Sequence, residues 1–311
     1  SSNTLVGVDD LDLPDELVQR MYDHQKDGVS WLYSLHMSKA HCGGILGDDM
    51  GLGKTFQTVI LLTGLLRQKD IASVLILCPV SVLQSWLREI TAHLLPHVTK
   101  RLRLELASSE MSKKKREKVL SEVWERATVS TPRIVISSYQ LVTNMIDDFS
   151  GAKYMNAGGA TSQWDYVILD EGHIIKNPAT QMSQAMHRLP CQSRLILSGT
   201  PIQNNLTEFF ALLNWCTKGR LLGTKAEFKK QFMEPIVSGQ DPGASQHIRE
   251  LAATATKKLT AIVAPVVLQR KKENIAKVRG VLEEFQKLTQ QQQQQQSDTT
   301  RNQHEVSNNT I

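Results

Sequence analysis

The fold of this chain is decided by Asp48-Asp49-Met50-Gly51-Leu52-Gly53-Lys54-Thr55, which follows a short apolar run at 44–46 and precedes an amphipathic segment at 55–67. The two glycines let the backbone wrap around a phosphate, and the amides that begin the next helix point at it. Lys54 then reaches the outer phosphates, and Thr55 can ligate Mg²⁺. Asp48 stands where the strict pattern GxxxxGK[ST] has its first glycine. A chance glycine-rich turn is the alternative, but the strand, turn and helix context favours a phosphate-binding loop.

Short β-branched and aliphatic runs alternate with amphipathic segments over the first two thirds of the chain. Strands are predicted at 44–46, 73–78, 101–107, 133–137, 166–169 and 194–197. Helices are predicted at 55–67, 82–94, 109–126, 139–149 and 179–188. Strand and helix repeated in this order predict an α/β fold with a parallel sheet between two layers of helices.

A second motif lies at the end of a predicted strand, Tyr166-Val167-Ile168-Leu169-Asp170-Glu171-Gly172-His173. Four apolar residues that end in adjacent carboxylates describe a Walker B element, in which Asp170 holds Mg²⁺ and Glu171 polarises the attacking water. An acidic strand end is by itself more often a helix cap or a turn. The phosphate loop in the same predicted sheet favours the catalytic interpretation, with Lys54, Asp170 and Glu171 as the catalytic groups.

A third motif, Ser198-Gly199-Thr200-Pro201-Ile202-Gln203-Asn204-Asn205, follows the predicted strand 194–197. Ligands of open α/β sheets bind at the carboxyl ends of the strands, so its small hydroxylated residues are expected to face the same crevice. An ordinary strand-to-helix turn is the alternative. Three such strand ends at one crevice favour a ligand site.

The composition divides the chain into four parts. Residues 1–40 form a helical N-terminal segment, and 41–206 carry the predicted sheet. Residues 207–280 are mostly helical in pattern up to 270 and form a helical appendage. Residues 281–311 contain seven consecutive glutamines and few apolar residues. Such a segment buries too little surface to offset the entropy of ordering, so a disordered C-terminal tail is predicted.

Composition and charge exclude several classes of protein. No apolar run reaches the about 18 residues of a membrane span, and the N-terminus has no secretory signal pattern. The four cysteines lie far apart, which favours neither a disulfide framework nor a zinc module. A net charge of +5 is only mildly basic, so any interaction with DNA must rest on motifs. The chain does not begin with methionine, which suggests a fragment.

Together the three motifs resemble motifs I, II and III of the superfamily 2 helicase-like ATPases. Their residues are similar to those of the sucrose-nonfermenting (Swi/Snf) type of chromatin-remodelling motor. The resemblance covers residues 13 to 279 and implies ATP and Mg²⁺ as cofactors and a RecA-like first lobe. In the family that it implies, an acidic residue often stands at the position of Asp48. The stretch 24–32 resembles the family's Q-motif and implies that Gln25 lies at the adenine. Coupling of the nucleotide to the moving parts is implied for His173, Thr200 and Gln203.

The same resemblance implies a DNA interface. The stretch 78–86 resembles motif Ia, and 136–139 resembles a later motif of the first lobe. In the family both face the DNA backbone, which implies contacts from Pro79, Ser81, Trp86, Ser138 and Tyr139. Hydroxyls and amides at helix starts can bind phosphates without reading sequence. Core packing of Trp86 and a helix-capping role of Ser81 are the alternatives.

Within the family, residues 206–270 resemble most the excision-repair group that contains the Cockayne syndrome B protein and the Polo-interacting checkpoint helicase. The resemblance implies the first lobe of an ATP-dependent translocase on double-stranded DNA, located in the nucleus, with nucleosomes or repair and transcription proteins as partners. The family motor needs a second lobe of about 150 residues, which this chain has no room for. The chain alone is therefore expected to hydrolyse ATP very slowly. A stand-alone regulatory module that binds ATP and DNA is the alternative.

Overall fold

A computed structural model describes residues 7–38, 40, 42–154, 163–199 and 205–275. Within these ranges the chain folds around one seven-stranded parallel sheet, with strand order β3-β4-β2-β5-β6-β1-β7. The strands are β1 Gly43–Leu46, β2 Ser73–Cys78, β3 Arg103–Ala107, β4 Arg133–Ser138, β5 Trp164–Asp170, β6 Cys191–Leu197 and β7 Val267–Leu268. The parallel α/β fold predicted from the sequence is confirmed.

Within the described residues up to 269, twelve α-helices precede, connect and follow the strands. They are α1 Asp15–Arg20, α2 Asp23–Met37, α3 Lys54–Gln68, α4 Leu83–His93, α5 Lys113–Arg126, α6 Tyr139–Asn144, α7 Ile146–Phe149, α8 Gln181–Arg188, α9 Leu206–Cys216, α10 Lys225–Phe228, α11 Glu234–Gly239 and α12 Gln246–Val263. A π-helical turn, Lys229–Met233, joins α10 to α11, and 3₁₀ turns lie at Val8–Asp10, Val80–Val82, Leu95–His97 and Gly172–Ile175.

The sheet separates two apolar layers. Successive residues of a strand point to opposite faces. Val74 and Ile76 of β2 therefore pack with apolar residues of α1 to α4, whereas Leu75 and Leu77 pack with those of α5 to α9. Because all strands run parallel, the residues that follow β1, β2, β4, β5 and β6 meet at one edge of the sheet. The predicted motifs lie at this edge.

The C-terminal helical segment contributes to the sheet. Helix α9 packs against β1 and β6, so it belongs to the layer that covers the sheet. The prediction of a helical pattern up to 270 is wrong for Val267–Leu268, which pair with Ile45 and Leu46 as strand β7. A two-residue strand is too short to show a periodicity of its own, and its pairing partner lies more than 200 residues earlier in the chain.

Two predicted helices are each divided in the structure. The N-terminal segment 1–40, predicted to be helical, contains two helices, α1 and α2, because Met21 and Tyr22 have extended backbone. The Gln25 side chain accepts a hydrogen bond from the Tyr22 amide at 3.1 Å, which fixes the start of α2. The segment 139–149 forms α6 and α7, since Met145 has φ −124° and ψ 32°.

The chain divides into two compact units, Ser1–Gln269 and Arg270–Ile311. The first contains the sheet and all the helices given above. In the second, the structure describes 270–275, where the amide of Asn274 donates to the carbonyl of Lys271 at 3.1 Å. The tail predicted at 281–311 lies outside the described residues, and the division into four parts stays a prediction.

Two further properties of the described residues bear on the class of protein. None of their helices combines the length and the apolarity that crossing a membrane requires. All four cysteines are thiols in the structure. Three of them, Cys78, Cys191 and Cys216, are buried, and Cys42 is half-buried.

Candidate functional site

The phosphate loop joins β1 to α3 at the carboxyl edge of the sheet. Gly51 and Gly53 have φ values of 86° and 81°, which non-glycine residues rarely adopt. Gly53 is also the residue that precedes α3, and a Cβ there would lie 2.4 Å from Nε2 of Gln25. A side chain at this position would therefore strain the backbone and displace the end of the Gln25 side chain. The result is a loop whose backbone leads directly into the amides of the α3 N-terminus, as an anion site requires.

Lys54 brings its ammonium back over the loop. Its Nζ donates to the backbone carbonyl of Asp48 at 2.7 Å and to that of Asp49 at 3.4 Å. Burial lowers the pKa of Lys54, and nearby carboxylates partly oppose that shift. These carboxylates belong to Glu171, Asp48, Asp170 and Asp49. The lysine of the loop and the two acids after β5 thus share one electrostatic environment.

The remaining loop residues differ in exposure. Met50 is 68% exposed at the tip of the loop, and Asp49 is half-buried. Thr55 is half-buried at the second residue of α3. Leu52 is buried, and its carbonyl is a common acceptor for side chains beneath the loop.

Asp48 explains why an acid can replace the first glycine of the strict pattern. It is 0% exposed, and its Oδ2 accepts a hydrogen bond from Nε2 of Gln57 at 3.3 Å. Gln57 also donates to the carbonyl of Leu52 at 3.2 Å. The buried amide therefore ties both ends of the loop to α3. No motif marks Gln57 in the sequence, because a single glutamine in an amphipathic segment has no characteristic spacing.

Gln25 lies under the loop rather than at the surface. It is 8% exposed, and its Nε2 donates to the carbonyl of Leu52 at 3.5 Å. The ring of His24 lies 3.2 Å from the same carbonyl through its Nε2. The stretch that resembles the Q-motif is thus in contact with the phosphate loop. A contact between Gln25 and adenine stays a prediction.

Asp170, the last residue of β5, is held by three hydrogen-bond donors. Its Oδ2 accepts from the indole Nε1 of Trp86 at 2.8 Å, and its Oδ1 accepts from the amide of Glu171 at 3.1 Å. The hydroxyl of Tyr139 donates to its backbone carbonyl at 2.7 Å. Burial raises the pKa of Asp170, and the indole N–H opposes this shift. The carboxylate is therefore half-buried, oriented and within the electrostatic influence of Lys54.

Glu171 has a strained backbone, with φ 51° and ψ 43°. Non-glycine residues in this left-handed region concentrate at functional sites. Its Oε2 lies 3.3 Å from Nδ1 of His173, and the hydroxyl of Ser198 lies 3.4 Å from the same nitrogen. Ser198 follows β6, so His173 contacts groups from two adjacent strand ends. This position suits the coupling role implied for His173, which stays a prediction.

Two residues predicted to contact DNA are buried instead. Trp86 is 1% exposed and Tyr139 is 3% exposed, so neither side chain reaches the surface where a duplex would lie. Both bond to Asp170 as described above. Each helix thus turns these aromatic rings toward the sheet, and a contact of Trp86 or Tyr139 with DNA stays a prediction.

The other three predicted DNA contacts lie nearer the surface. Pro79 is half-buried and Ser81 is exposed, next to and within the 3₁₀ turn Val80–Val82. Ser81 does not cap α4, since that helix begins without a side-chain cap. Ser138 is half-buried, and its Oγ accepts from the amide of Leu141 at the start of α6. Thr200 and Gln203 lie outside the described residues, so their implied coupling role stays a prediction.

The oxygen donors of the site suit Mg²⁺. They are the hydroxyl of Thr55 and the carboxylate of Asp170. The described part of the chain contains no group of three or more His, Cys, Asp or Glu side chains able to hold a metal by themselves. Protein-bound Mg²⁺ usually has one or two carboxylates, with phosphates and water completing an octahedron. The residues present therefore fit an ion that binds together with a phosphate ligand.

The geometry of Gly53 predicts that Gly53→Ala weakens nucleotide binding about tenfold or more. A displaced loop that loses about 1.4 kcal/mol of binding free energy has that effect. The control is Gly219→Ala, which has φ 75° but a nearest neighbour atom at 3.4 Å. Both changes should lower the free energy of unfolding by about 1 to 2 kcal/mol in urea titrations. Titration with a fluorescent ATP analogue should detect the loss of affinity in Gly53→Ala alone. Wild-type affinity in that variant would contradict the role given to the loop.

Comparison with known proteins places this geometry in a family. A family model described as SNF2-related domain matches residues 24–309. The chain is 36% identical over 277 residues to Protein CHROMATIN REMODELING 24 of Arabidopsis thaliana, covering 88% of this chain and 24% of that protein. It is 34% identical over 268 residues to DNA excision repair protein ERCC-6-like of Danio rerio, covering 86% of this chain and 17% of that protein. The chain thus spans about a quarter or less of the length of these relatives.

A solved structure shows the same fold. The Sulfolobus solfataricus SWI2/SNF2 ATPase core in complex with dsDNA matches with a TM-score of 0.59 and 28% identity, over 80% of this chain and 44% of that one. The seven-stranded sheet between helices is accordingly a RecA-like lobe. With a family model that covers most of its length, a phosphate loop on β1 and paired acids after β5, this chain belongs to the SNF2-related family.

Proposed function

We propose that this chain is the ATP-binding first lobe of an ATP-dependent translocase on double-stranded DNA that acts in chromatin remodelling or DNA repair. One observation carries the proposal. The phosphate loop after β1 and the acids at the end of β5 lie at the same edge of the parallel sheet, with β6 between the two strands, so they form one site. Asp170 and Glu171 accordingly oppose the lowering of the Lys54 pKa by burial. Such a site suits phosphoryl transfer to water, in which catalysis consists mainly of positioning and charge stabilisation.

Each side chain of the site has a distinct role in this proposal. Lys54 binds the outer phosphates of ATP, and the amides at the start of α3 bind the phosphate chain. Thr55 and Asp170 hold Mg²⁺, which when bound neutralises phosphate charge. Glu171 orients a water molecule and accepts its proton. The contact of Glu171 with His173 at 3.3 Å keeps that carboxylate in place.

Duplex DNA is proposed to lie at the same edge of the lobe, along the turn that follows β2 and the start of α6. Pro79, Ser81 and Ser138 are the residues of the predicted interface that stay near the surface. Hydroxyl and amide groups there contact phosphates and carry no sequence information. The solved relative in complex with dsDNA supports a duplex as the partner of this lobe.

The proposed location is the nucleus, with nucleosomes or repair and transcription proteins as partners. The names of the relatives refer to chromatin remodelling and to DNA excision repair. They support DNA in chromatin as the substrate of the whole protein. Because chromatin lies in the nucleus, such a substrate supports the nucleus as the proposed location of the lobe.

Hydrolysis by the 311-residue chain alone is proposed to be slow. The family resemblance places ATP between two lobes, with arginines from the second lobe at the phosphates. The described residues form one lobe. An arginine finger contributes about 10³- to 10⁵-fold in rate, so we expect below about one turnover per second, with or without duplex. Several turnovers per second with duplex would contradict this assignment.

The DNA interface is tested by Ser81→Glu, with Ser238→Glu on the exposed end of α11 as the matched control. Two like charges about 4 Å apart in water repel by about 1 kcal/mol, so Ser81→Glu should weaken duplex binding about fivefold. Fluorescence anisotropy with two duplexes of unrelated sequence measures the affinity. Both duplexes should bind equally and more weakly as salt rises. Equal effects of the two variants would contradict an interface at the turn Val80–Val82.

A further inference from the structure

Trp86 differs from the other tryptophans in what its indole N–H contacts. The indoles of Trp31, Trp124, Trp164 and Trp215 all donate to backbone carbonyl oxygens. Trp86 donates to the carboxylate of Asp170 at 2.8 Å and is 1% exposed. A hydrogen bond between a buried indole and a carboxylate is charge-assisted and therefore stronger than the bonds to carbonyls. This single contact joins α4 to the proposed metal ligand.

The position of Trp86 links that ligand to the surface of the lobe. Trp86 lies one turn into α4, and α4 follows directly on the 3₁₀ turn Val80–Val82. Val80 is 70% exposed, and Ser81 is exposed as well. A shift of this turn along the axis of α4 therefore moves the indole that holds Asp170.

Among the described residues, the carboxylate of Asp170 has one donor on each oxygen, the indole on Oδ2 and the amide of Glu171 on Oδ1. The amide belongs to the next residue of the chain and moves with Asp170. The indole comes from a different element, so it is the contact that fixes the rotation of the carboxylate relative to the lobe. Partners of this kind behind metal ligands typically affect metal affinity by about 10- to 100-fold.

We propose that Trp86 is a positioning residue, whose indole N–H holds the carboxylate of Asp170 in the orientation that receives Mg²⁺ and thereby connects the turn Val80–Val82 with the metal. This inference rests on the proposed function, because it takes Asp170 as a Mg²⁺ ligand and the turn as part of the duplex interface. It assigns to Trp86 a role in the nucleotide site in place of the DNA contact that the sequence predicted.

The first test compares Trp86→Phe with Trp124→Phe in the 311-residue chain. Both variants keep a buried aromatic ring and lose one indole hydrogen bond, which Trp124 makes to the carbonyl of Asp148 at 3.0 Å. The affinity for a fluorescent ATP analogue is measured with Mg²⁺ and again with EDTA. Trp86→Phe should bind about tenfold more weakly with Mg²⁺ and unchanged with EDTA. Trp124→Phe should match the wild type in both conditions.

Two results of this test would overturn the positioning role. An equal loss of affinity with Mg²⁺ and with EDTA would show that Trp86 supports the fold alone. Wild-type affinity with Mg²⁺ would show that Asp170 is oriented without the indole. Circular dichroism and thermal unfolding of both variants establish that they are folded before affinities are compared.

The second test uses the wild-type chain and does not depend on the folding of a tryptophan variant. Indole N–H signals are recorded by NMR after ¹⁵N labelling, and Asp170→Asn identifies the signal of Trp86 by its selective shift. Adding Mg²⁺ with ADP, and separately adding duplex DNA, should move the signal of Trp86 and leave that of Trp124 in place. An unmoved Trp86 signal with duplex bound, as judged by anisotropy, would overturn the connection to the turn. Failure of the wild type to bind duplex would instead contradict the DNA interface, and the comparison with Mg²⁺ would still decide the role of Trp86.

Discussion

Lys54→Ala is expected to weaken ATP binding by about 10- to 100-fold. A hydrogen bond to a charged group contributes about 1.5 to 3 kcal/mol, which corresponds to that loss. The structure gives a second reason. The carboxylates of Glu171, Asp48, Asp170 and Asp49 all raise the pKa of the ammonium, against the lowering by burial. Without it, their charges repel the phosphates.

The control for this prediction is Lys113→Ala. Lys113 is the first residue of α5, as Lys54 is of α3, and it is exposed. Its removal should leave ATP affinity at the wild-type value, as measured by calorimetry or by titration with a fluorescent analogue. Retention of wild-type affinity by Lys54→Ala would show that ATP does not bind at the loop.

Glu171→Gln is expected to bind ATP as the wild type does and to lose hydrolysis by about 10²- to 10⁴-fold. That factor is the usual contribution of a general base, and the amide of glutamine cannot accept the proton of water. The variant keeps the size of the side chain and a hydrogen-bonding group for His173. Single-turnover hydrolysis with the chain in excess over labelled ATP measures the rate without a need for rapid turnover.

Glu117→Gln is the matched control for the loss of a carboxylate. Glu117 lies on α5, and its Oε1 is 3.6 Å from Nζ of Lys153, so it too has a basic partner. Its hydrolysis rate and ATP affinity should both equal those of the wild type. If Glu171→Gln lost affinity as strongly as Lys54→Ala, the separation between phosphate binding and water activation would be wrong.

Much of the fold could be predicted because its signals are local. The runs that form β2, β4, β5 and β6 each contain at least three consecutive β-branched or aliphatic residues. The glycines of the phosphate loop mark the transition from β1 to α3. Parallel pairing then follows from the alternation of strands with helices.

The roles of Trp86 and Tyr139 could not be predicted from their neighbours in the sequence. Trp86 stands between the half-buried Ser85 and Leu87 in a segment that resembles a DNA-facing motif, yet its ring points to the sheet. The spacing of Leu83, Trp86 and Ile90 places all three on one helix face, and all three are buried. That periodicity was the available signal for burial. It identifies the face but not the hydrogen-bond partner.

The proposed nucleotide site could be predicted from the sequence alone, because a phosphate loop is made from consecutive residues whose backbone conformation depends on local glycines. The support of that site was decided only by the tertiary structure. Asp170 accepts a hydrogen bond from Trp86, which lies 84 residues earlier in the chain. Asp48 accepts one from Gln57, and both residues are buried. Such contacts depend on which face each helix turns to the sheet, and that choice is made by the packing of the whole lobe.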